Sequence, residues 1–200
     1  MKKTQLVYGF AGALFVICIV PIIVTGNSEP ALRWAIARSV DMAIPCFIAA
    51  FSARPLLKFW PNRFTRWLMR NRRYLGIGWG IGFLLHGALL LLLARTYPEP
   101  FLSGTTPEAI NHGILAFSVT ALMLMTSNNW SVRTLGSKLW SFIHTLGGYF
   151  LLLTLLGALL TNLDRFWLWP YGVLTVGLIL LRIAAAIHRL WRRPGSAGAQ

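Results

Sequence analysis

Long apolar runs alternate with short polar segments along nearly all of the 200-residue chain. Each run is close to the ~20 residues that an α-helix needs to cross the hydrocarbon core of a bilayer. The pattern therefore predicts an all-α fold, a polytopic membrane helix bundle with six transmembrane helices. The predicted spans are 6–25, 38–57, 74–95, 109–126, 139–161 and 167–188.

The second span is the hardest to predict, because Arg38 and Asp41 lie at its start and Pro45 lies in its body. Proline is tolerated in a membrane helix when a neighbour satisfies the backbone carbonyl that the proline leaves free. We therefore keep it as a span. The spans and their short connections use residues 1–193 as a single transmembrane domain, and residues 194–200 are predicted to be a disordered tail.

Charge predicts the orientation of the chain. It has 19 basic and 5 acidic residues, with a net charge of +14 at pH 7. If the N-terminus is cytoplasmic, all five acidic residues fall on the outer side. Only four of the 19 basic residues lie on that side, namely Arg33, Arg38, Arg95 and Arg165. Lysine and arginine concentrate in cytoplasmic loops. Both termini are therefore predicted to face the cytoplasm, with the chain in a bacterial inner membrane and with membrane lipid, not nucleic acid, as the partner of these charges.

Two histidines lie inside predicted spans, His86 in the third and His144 in the fifth. An ionisable residue within a span is costly and indicates function. Neutral imidazole is a common axial ligand of haem iron. Because the two spans run in the same direction, both side chains can approach each other across the bundle interior. We predict His86 and His144 as axial ligands of haem iron.

Depth along the membrane leaves the pairing of these ligands open. At a rise of 1.5 Å per residue, His86 lies roughly 10 Å deeper than His144 when the helices are aligned at Arg73 and Lys138. His112 or an exogenous ligand is the alternative axial partner. At the outer end of the fourth span, His112 is more typical of a solvated or hydrogen-bonded residue.

Other residues near these spans are candidates for contact with a cofactor. Gly82 is predicted to let a flat macrocycle approach the third helix, and tight helix packing is the alternative. Arg73 is expected to meet either a haem propionate or a lipid phosphate. In the sixth span, Arg182 is expected to extend to the lipid headgroups, and His188 is expected to be an interfacial residue.

Several short motifs occur in a specific order. Arg72-Arg73-Tyr74-Leu75-Gly76 precedes His86, and Thr126-Ser127, Leu135-Gly136, Trp140 and His144 follow. In order and spacing, residues 30–190 resemble the ferric-reductase-like transmembrane domain family. Within it they are most similar to the haem-binding membrane subunits of periplasmic methionine sulfoxide reductase systems (the YedZ/MsrQ group). The resemblance implies haem b and places His86 and His144 at ligand positions.

The chain departs from that group at one expected ligand. Members usually carry a further histidine thirteen residues after the position of His144, where this chain has Gly157. The spacings from Leu135-Gly136 to His144 and from His144 to Tyr149 are each one residue longer than expected. One haem b is therefore expected, and a second lacks a ligand.

The resemblance implies a b-type cytochrome that passes electrons from a quinol or a cytoplasmic flavin reductase to a periplasmic redox partner protein. No glycine-rich dinucleotide fingerprint follows a predicted strand. A quinone or flavin would therefore come with a partner, and the chain would be an oxidoreductase component rather than a self-contained enzyme. The alternative is a haem-free membrane interaction or assembly subunit, motivated by the missing histidine. A small-solute transporter has less support, because no span carries a buried acidic relay.

Overall fold

The computed structural model describes residues 3–162, 164 and 166–191, and for residues 3, 4, 167 and 189–191 it describes the backbone alone. The predicted tail, 194–200, and Arg165 lie outside the described residues.

Helices account for almost all of the described chain, and no strand occurs in it. Six helical segments within it are long and apolar enough to cross a membrane, which confirms the predicted all-α, six-span fold. The elements are α1 (Lys3–Leu14), a π-helical turn (Phe15–Ile19), α2 (Val20–Thr25), α3 (Glu29–Phe59), α4 (Arg63–Thr96), α5 (Pro98–Ser103), α6 (Pro107–Met125), α7 (Asn129–Leu160), a 3₁₀ turn (Phe166–Leu168) and α8 (Trp169–Trp191).

Three helices extend well beyond the predicted spans. α4 begins at Arg63, eleven residues before the apolar run, because Asn62 and Thr65 form a capping box. Asn62 Oδ1 accepts a hydrogen bond from Thr65 N at 2.9 Å, and Thr65 Oγ1 accepts one from Asn62 N at 3.0 Å. This reciprocal pair satisfies donors that a helix start leaves free. The basic residues between the second and third predicted spans were expected in a loop. From Arg63 to Arg73 they belong instead to the first part of a helix.

The chain's turns place most basic residues at one end of the bundle, which we call the basic end. The α3–α4 connection, the α6–α7 connection and the last turns of α8 meet there. Lys58 Nζ donates to Ala185 O at 3.1 Å, and Arg73 Nη1 donates to Asn129 Oδ1 at 2.7 Å. These contacts tie α3 to α8 and α4 to α7.

Two prolines inside α3 shape its contacts with α8. A proline has no N–H for the carbonyl four residues earlier, so Pro55 frees Phe51 O. Arg182 Nη2 in α8 donates to this oxygen at 2.7 Å. A guanidinium group thus replaces the missing intrahelical donor.

The same relation occurs ten residues earlier in α3, farther from the basic end. Pro45 frees Asp41 O, and Tyr171 OH in α8 donates to it at 3.4 Å. The condition under which a membrane helix tolerates proline is therefore met twice, by side chains of one neighbouring helix. α3 runs through both prolines as a single helix, so the second predicted span is confirmed.

α3 and α4 pack closely at Gly82. A Cβ atom placed on Gly82 would lie 2.8 Å from Ala43 Cβ and 3.4 Å from Ser39 O. The space beside Gly82 is therefore filled by α3, as the helix-packing alternative for this glycine requires.

Replacing Gly82 with leucine is expected to lower the thermal midpoint of the detergent-solubilised protein, because overpacking a filled contact costs about 1–3 kcal/mol. Gly172→Leu is the control, since nothing lies within 4 Å of a Cβ at Gly172. Equal midpoints for the two variants would contradict the close contact between α3 and α4.

Candidate functional site

A cavity of about 620 Å³ lies at the basic end, between α3, α4, α6, α7 and α8. This volume is in the range of small-molecule and cofactor sites. Its wall combines aromatic rings, glycines and one histidine with a group of basic side chains. The cavity therefore has the size and the lining of a ligand site.

The charge of the cavity wall is entirely positive. None of the chain's five acidic residues, all of which are described, lines it. Two of the acids form ion pairs elsewhere, Glu29 with Arg33 and Asp41 with Arg38. Low-dielectric walls focus the field of such a group, so the cavity favours an anionic ligand. The basic side chains on its wall are Arg54, Lys58, Arg70, Arg72, Arg73 and Arg182.

Arg182 is held in this wall by three contacts. Its Cζ lies 3.4 Å from the ring centroid of Phe51, Nη2 donates to Phe51 O, and Nη1 donates to Tyr149 OH at 3.2 Å. The expectation that Arg182 extends to the headgroups was wrong. A proline-freed carbonyl and an aromatic face offer it partners inside the bundle.

His144 also lines the cavity, and its ring orientation is fixed by neighbours. His144 Nε2 lies 3.0 Å from Thr126 Oγ1, whose own hydroxyl donates to Leu122 O at 2.7 Å. Because the hydroxyl proton is used there, the imidazole N–H at Nε2 is the donor in the shared contact. Trp140 stacks on the imidazole with ring centroids 4.2 Å apart, and its Nε1 donates to Thr126 O at 2.8 Å. Nδ1 then carries the free lone pair and is the ring atom that can bind a metal.

His86 lies outside the cavity, on the side of α4 that faces α3. His86 Nδ1 is 3.0 Å from Ile36 O and 3.5 Å from Ser39 Oγ. Its ring contacts Phe83 and Phe117. None of these neighbours is among those described above for His144, so the two histidines lie in different surroundings. Their predicted role as axial ligands of one iron stays a prediction.

The remaining predicted residues are spread over the bundle. His112 Nε2 lies 3.0 Å from Thr154 Oγ1, away from the basic end, and Gly82 lies against α3. Arg73 lines the cavity. His188 packs edge-on against Phe59, with ring centroids 5.8 Å apart. No group of three or more metal-ligating side chains occurs in the described part of the chain.

The ferric reductase like transmembrane component family model matches residues 37–155, which is more than half of the chain. The chain belongs to this family. No curated protein and no solved structure matches it. The matched residues include His86, His112, His144 and the whole of α4, and they end before α8.

Sequence reasoning missed an aromatic residue of the cavity wall, Trp79. It lines the cavity, is 5% exposed, and its Nε1–H has no hydrogen-bond partner among the described residues. The available signal was its position, because tryptophan in membrane helices prefers the interfaces and Trp79 lies within a span. Phe47 and Phe51, which also line the cavity, gave no such signal, since phenylalanine is ordinary in a span.

Glycines give the cavity part of its shape. A Cβ on Gly148 would collide with the Phe51 ring, so the ring keeps its place because α7 has no side chain there. Gly76 also lines the cavity, but no atom fills the space beside it, since nothing lies within 4 Å of a Cβ placed on it. The cavity is therefore open beside Gly76 on α4.

Inorganic pyrophosphate is expected to raise the thermal midpoint of the purified protein more than chloride at equal ionic strength. A ligand that binds only the folded state stabilises it, and the cavity has no internal counter-charge. Arg72→Gln should reduce the effect, whereas Arg63→Gln should not, because Arg63 is exposed and lies outside the cavity. The same shift in both variants would place the anion elsewhere.

Proposed function

We propose that this chain is a b-type haem-binding integral membrane electron-transfer protein whose haem lies in the basic cavity. The observation that carries the proposal is that one cavity joins an oriented histidine, His144, to six basic side chains and to no acidic residue. A haem requires an axial ligand for its iron and positive partners for its two propionates. Both requirements can be met on this one wall.

The shape of the cavity also fits a flat group. Gly76 and Gly80 line it, together with the aromatic side chains of Phe47 and Trp79. When bound, the haem supplies a one-electron iron couple. The chain's own residues bind and orient it, exclude water and provide the positive surroundings that set its potential.

His144 is the iron ligand that we assign in the cavity. Metal-binding histidines usually donate their second ring N–H to a fixed acceptor, as His144 Nε2 does to Thr126. His86 meets the same criterion, because its Nδ1 faces Ile36 O and leaves Nε2 for a metal. For both to bind one iron, however, His86 has to leave this carbonyl and enter the cavity. Arg73 is assigned to a propionate.

The charge asymmetry supports an orientation with the basic end in the cytoplasm of a bacterial cell and both termini on that side. In this orientation a quinol or a cytoplasmic flavin reductase reaches the cavity from the inner side. Electrons leave toward a periplasmic acceptor or partner protein. Thr126, Trp140 and His144, which carry much of the resemblance to the YedZ/MsrQ group, form one contact network in support of that assignment.

A haem-free interaction or assembly subunit is the second candidate, and Gly157 favours it. Gly157 is exposed and has nothing within 4 Å of a Cβ placed on it, so no packing requirement replaces the missing histidine. The two candidates differ in whether the purified chain holds haem.

Protein purified after haem-replete expression is expected to show a Soret band and, after dithionite reduction, α and β bands. His144→Ala should remove most of the haem, and His188→Ala should leave the spectrum unchanged. Ligation by His144 alone predicts a high-spin ferrous haem that binds carbon monoxide. A low-spin spectrum that His86→Ala converts to high spin would instead establish the histidine pair, and a colourless preparation would support the haem-free candidate.

Arg72→Gln is expected to lower the reduction midpoint of the bound haem, because a nearby cation favours the reduced, less positive iron. For one charge lost at partial burial, the expected decrease is on the order of 50 mV. A spectroelectrochemical titration measures it, with Arg63→Gln as the matched control. An unchanged midpoint for Arg72→Gln would contradict a haem in this cavity.

A further inference from the structure

An uninterrupted series of aromatic rings connects the cavity wall to His86. The ring centroids of Phe51 and Phe47 are 5.4 Å apart, and those of Phe47 and Trp79 are 4.9 Å apart. Trp79 then stacks on Phe83 at 4.6 Å, and Phe83 stacks on His86 at 6.0 Å. We call these five residues the aromatic series.

The series leads away from the basic end. Phe51, Phe47 and Trp79 line the cavity, whereas Phe83 and His86 do not. From Trp79 to His86 the chain rises by seven residues of α4, which is roughly 10 Å along the helix axis. The series therefore begins at the cavity and continues into the part of the bundle nearer the opposite end.

Packing between α3 and α4 accounts for apolar residues at these positions but not for the choice of tryptophan. The Trp79 Nε1–H is buried without a hydrogen-bond partner among the described residues. Burying an unsatisfied donor is costly, and phenylalanine would fill the core without that cost. The rings of Trp79 and Phe83 are also nearly parallel, at 14°, as are those of Phe83 and His86, at 11°.

We propose that the aromatic series is the path by which an electron moves from the cavity as far as His86, toward the opposite end, with Trp79 and Phe83 as the bridging residues. The inference rests on the proposed function. Electronic coupling decays less through stacked rings than through saturated side chains of the same length. One electron leaves the reduced haem that the proposed function places in the cavity, and it reduces a metal-centred one-electron acceptor beyond His86. No bond forms or breaks, and the bridging rings are unchanged after the transfer.

The test uses zinc protoporphyrin bound to the full chain in nanodiscs in place of haem. A cobalt(III) ammine complex, as the one-electron acceptor, is attached to Leu102→Cys in α5, where the native side chain is 62% exposed. Cys18 and Cys46 are replaced by alanine in all variants. After a laser flash, transient absorbance gives the rate at which the excited porphyrin is oxidised and cobalt(III) is reduced.

Phe83→Leu is the central variant, because Phe83 belongs to the series but does not line the cavity. It should slow the transfer by an order of magnitude, whereas Phe150→Leu, the same change outside the series, should leave the rate unchanged. Trp79→Phe, which keeps a smaller ring in place, should slow the transfer, but less than Trp79→Leu does. Equal rates for Phe83→Leu and Phe150→Leu, with porphyrin bound, would overturn the path but not the haem site. A chain that binds no porphyrin would overturn both.

Discussion

The bundle depends on how α8 satisfies the backbone of α3. Pro55 leaves the carbonyl of Phe51 without its helical donor, and within a membrane no water is present to replace it. Arg182 supplies the donor at 2.7 Å, and its guanidinium group then stacks on the Phe51 ring. The ring in turn occupies the space that Gly148 leaves open in α7. One unsatisfied carbonyl thus fixes a positive charge, an aromatic wall and a helix contact, and all three belong to the cavity.

The rest of the cavity follows from which helices meet at the basic end. The capping box at Asn62 and Thr65 extends α4 beyond its apolar run, so Arg70, Arg72 and Arg73 project from a helix rather than a loop. They line the cavity opposite a histidine whose orientation depends on Thr126 and on stacked Trp140. No acidic residue lines the cavity to compensate these charges, so the cavity favours an anionic ligand. The proposed haem would take its iron ligand from His144 and the partners of its two propionates from these basic side chains.

Sequence reasoning predicted the six spans because crossing a bilayer requires long apolar runs. It kept the second span, now α3, because a membrane helix tolerates proline when a neighbour satisfies the freed carbonyl. It misjudged the helix starts, because the residues that cap them lie outside the apolar runs. These are Asn62 before α4 and Asn128 before α7, whose side chain accepts a hydrogen bond from Ser131 N. The pairing of His86 with His144 could not be decided, because helix rotation and the rotamer of each ring determine which side they face. The carbonyl partner of Arg182 could not be foreseen, because Phe51 lies 131 residues away in the sequence. Arg182 was therefore assigned to the lipid headgroups. Trp79 was missed because only the folded bundle shows that it borders a cavity.

The central claim is that the basic cavity holds a haem beside His144. Crystals of the haem-replete protein, with diffraction recorded on both sides of the iron absorption edge, test it most directly. The expected result is one anomalous peak inside the cavity, next to His144 and on the side of Gly76. A peak beside His86 and outside the cavity, or no iron in protein produced with ample haem, would contradict the claim.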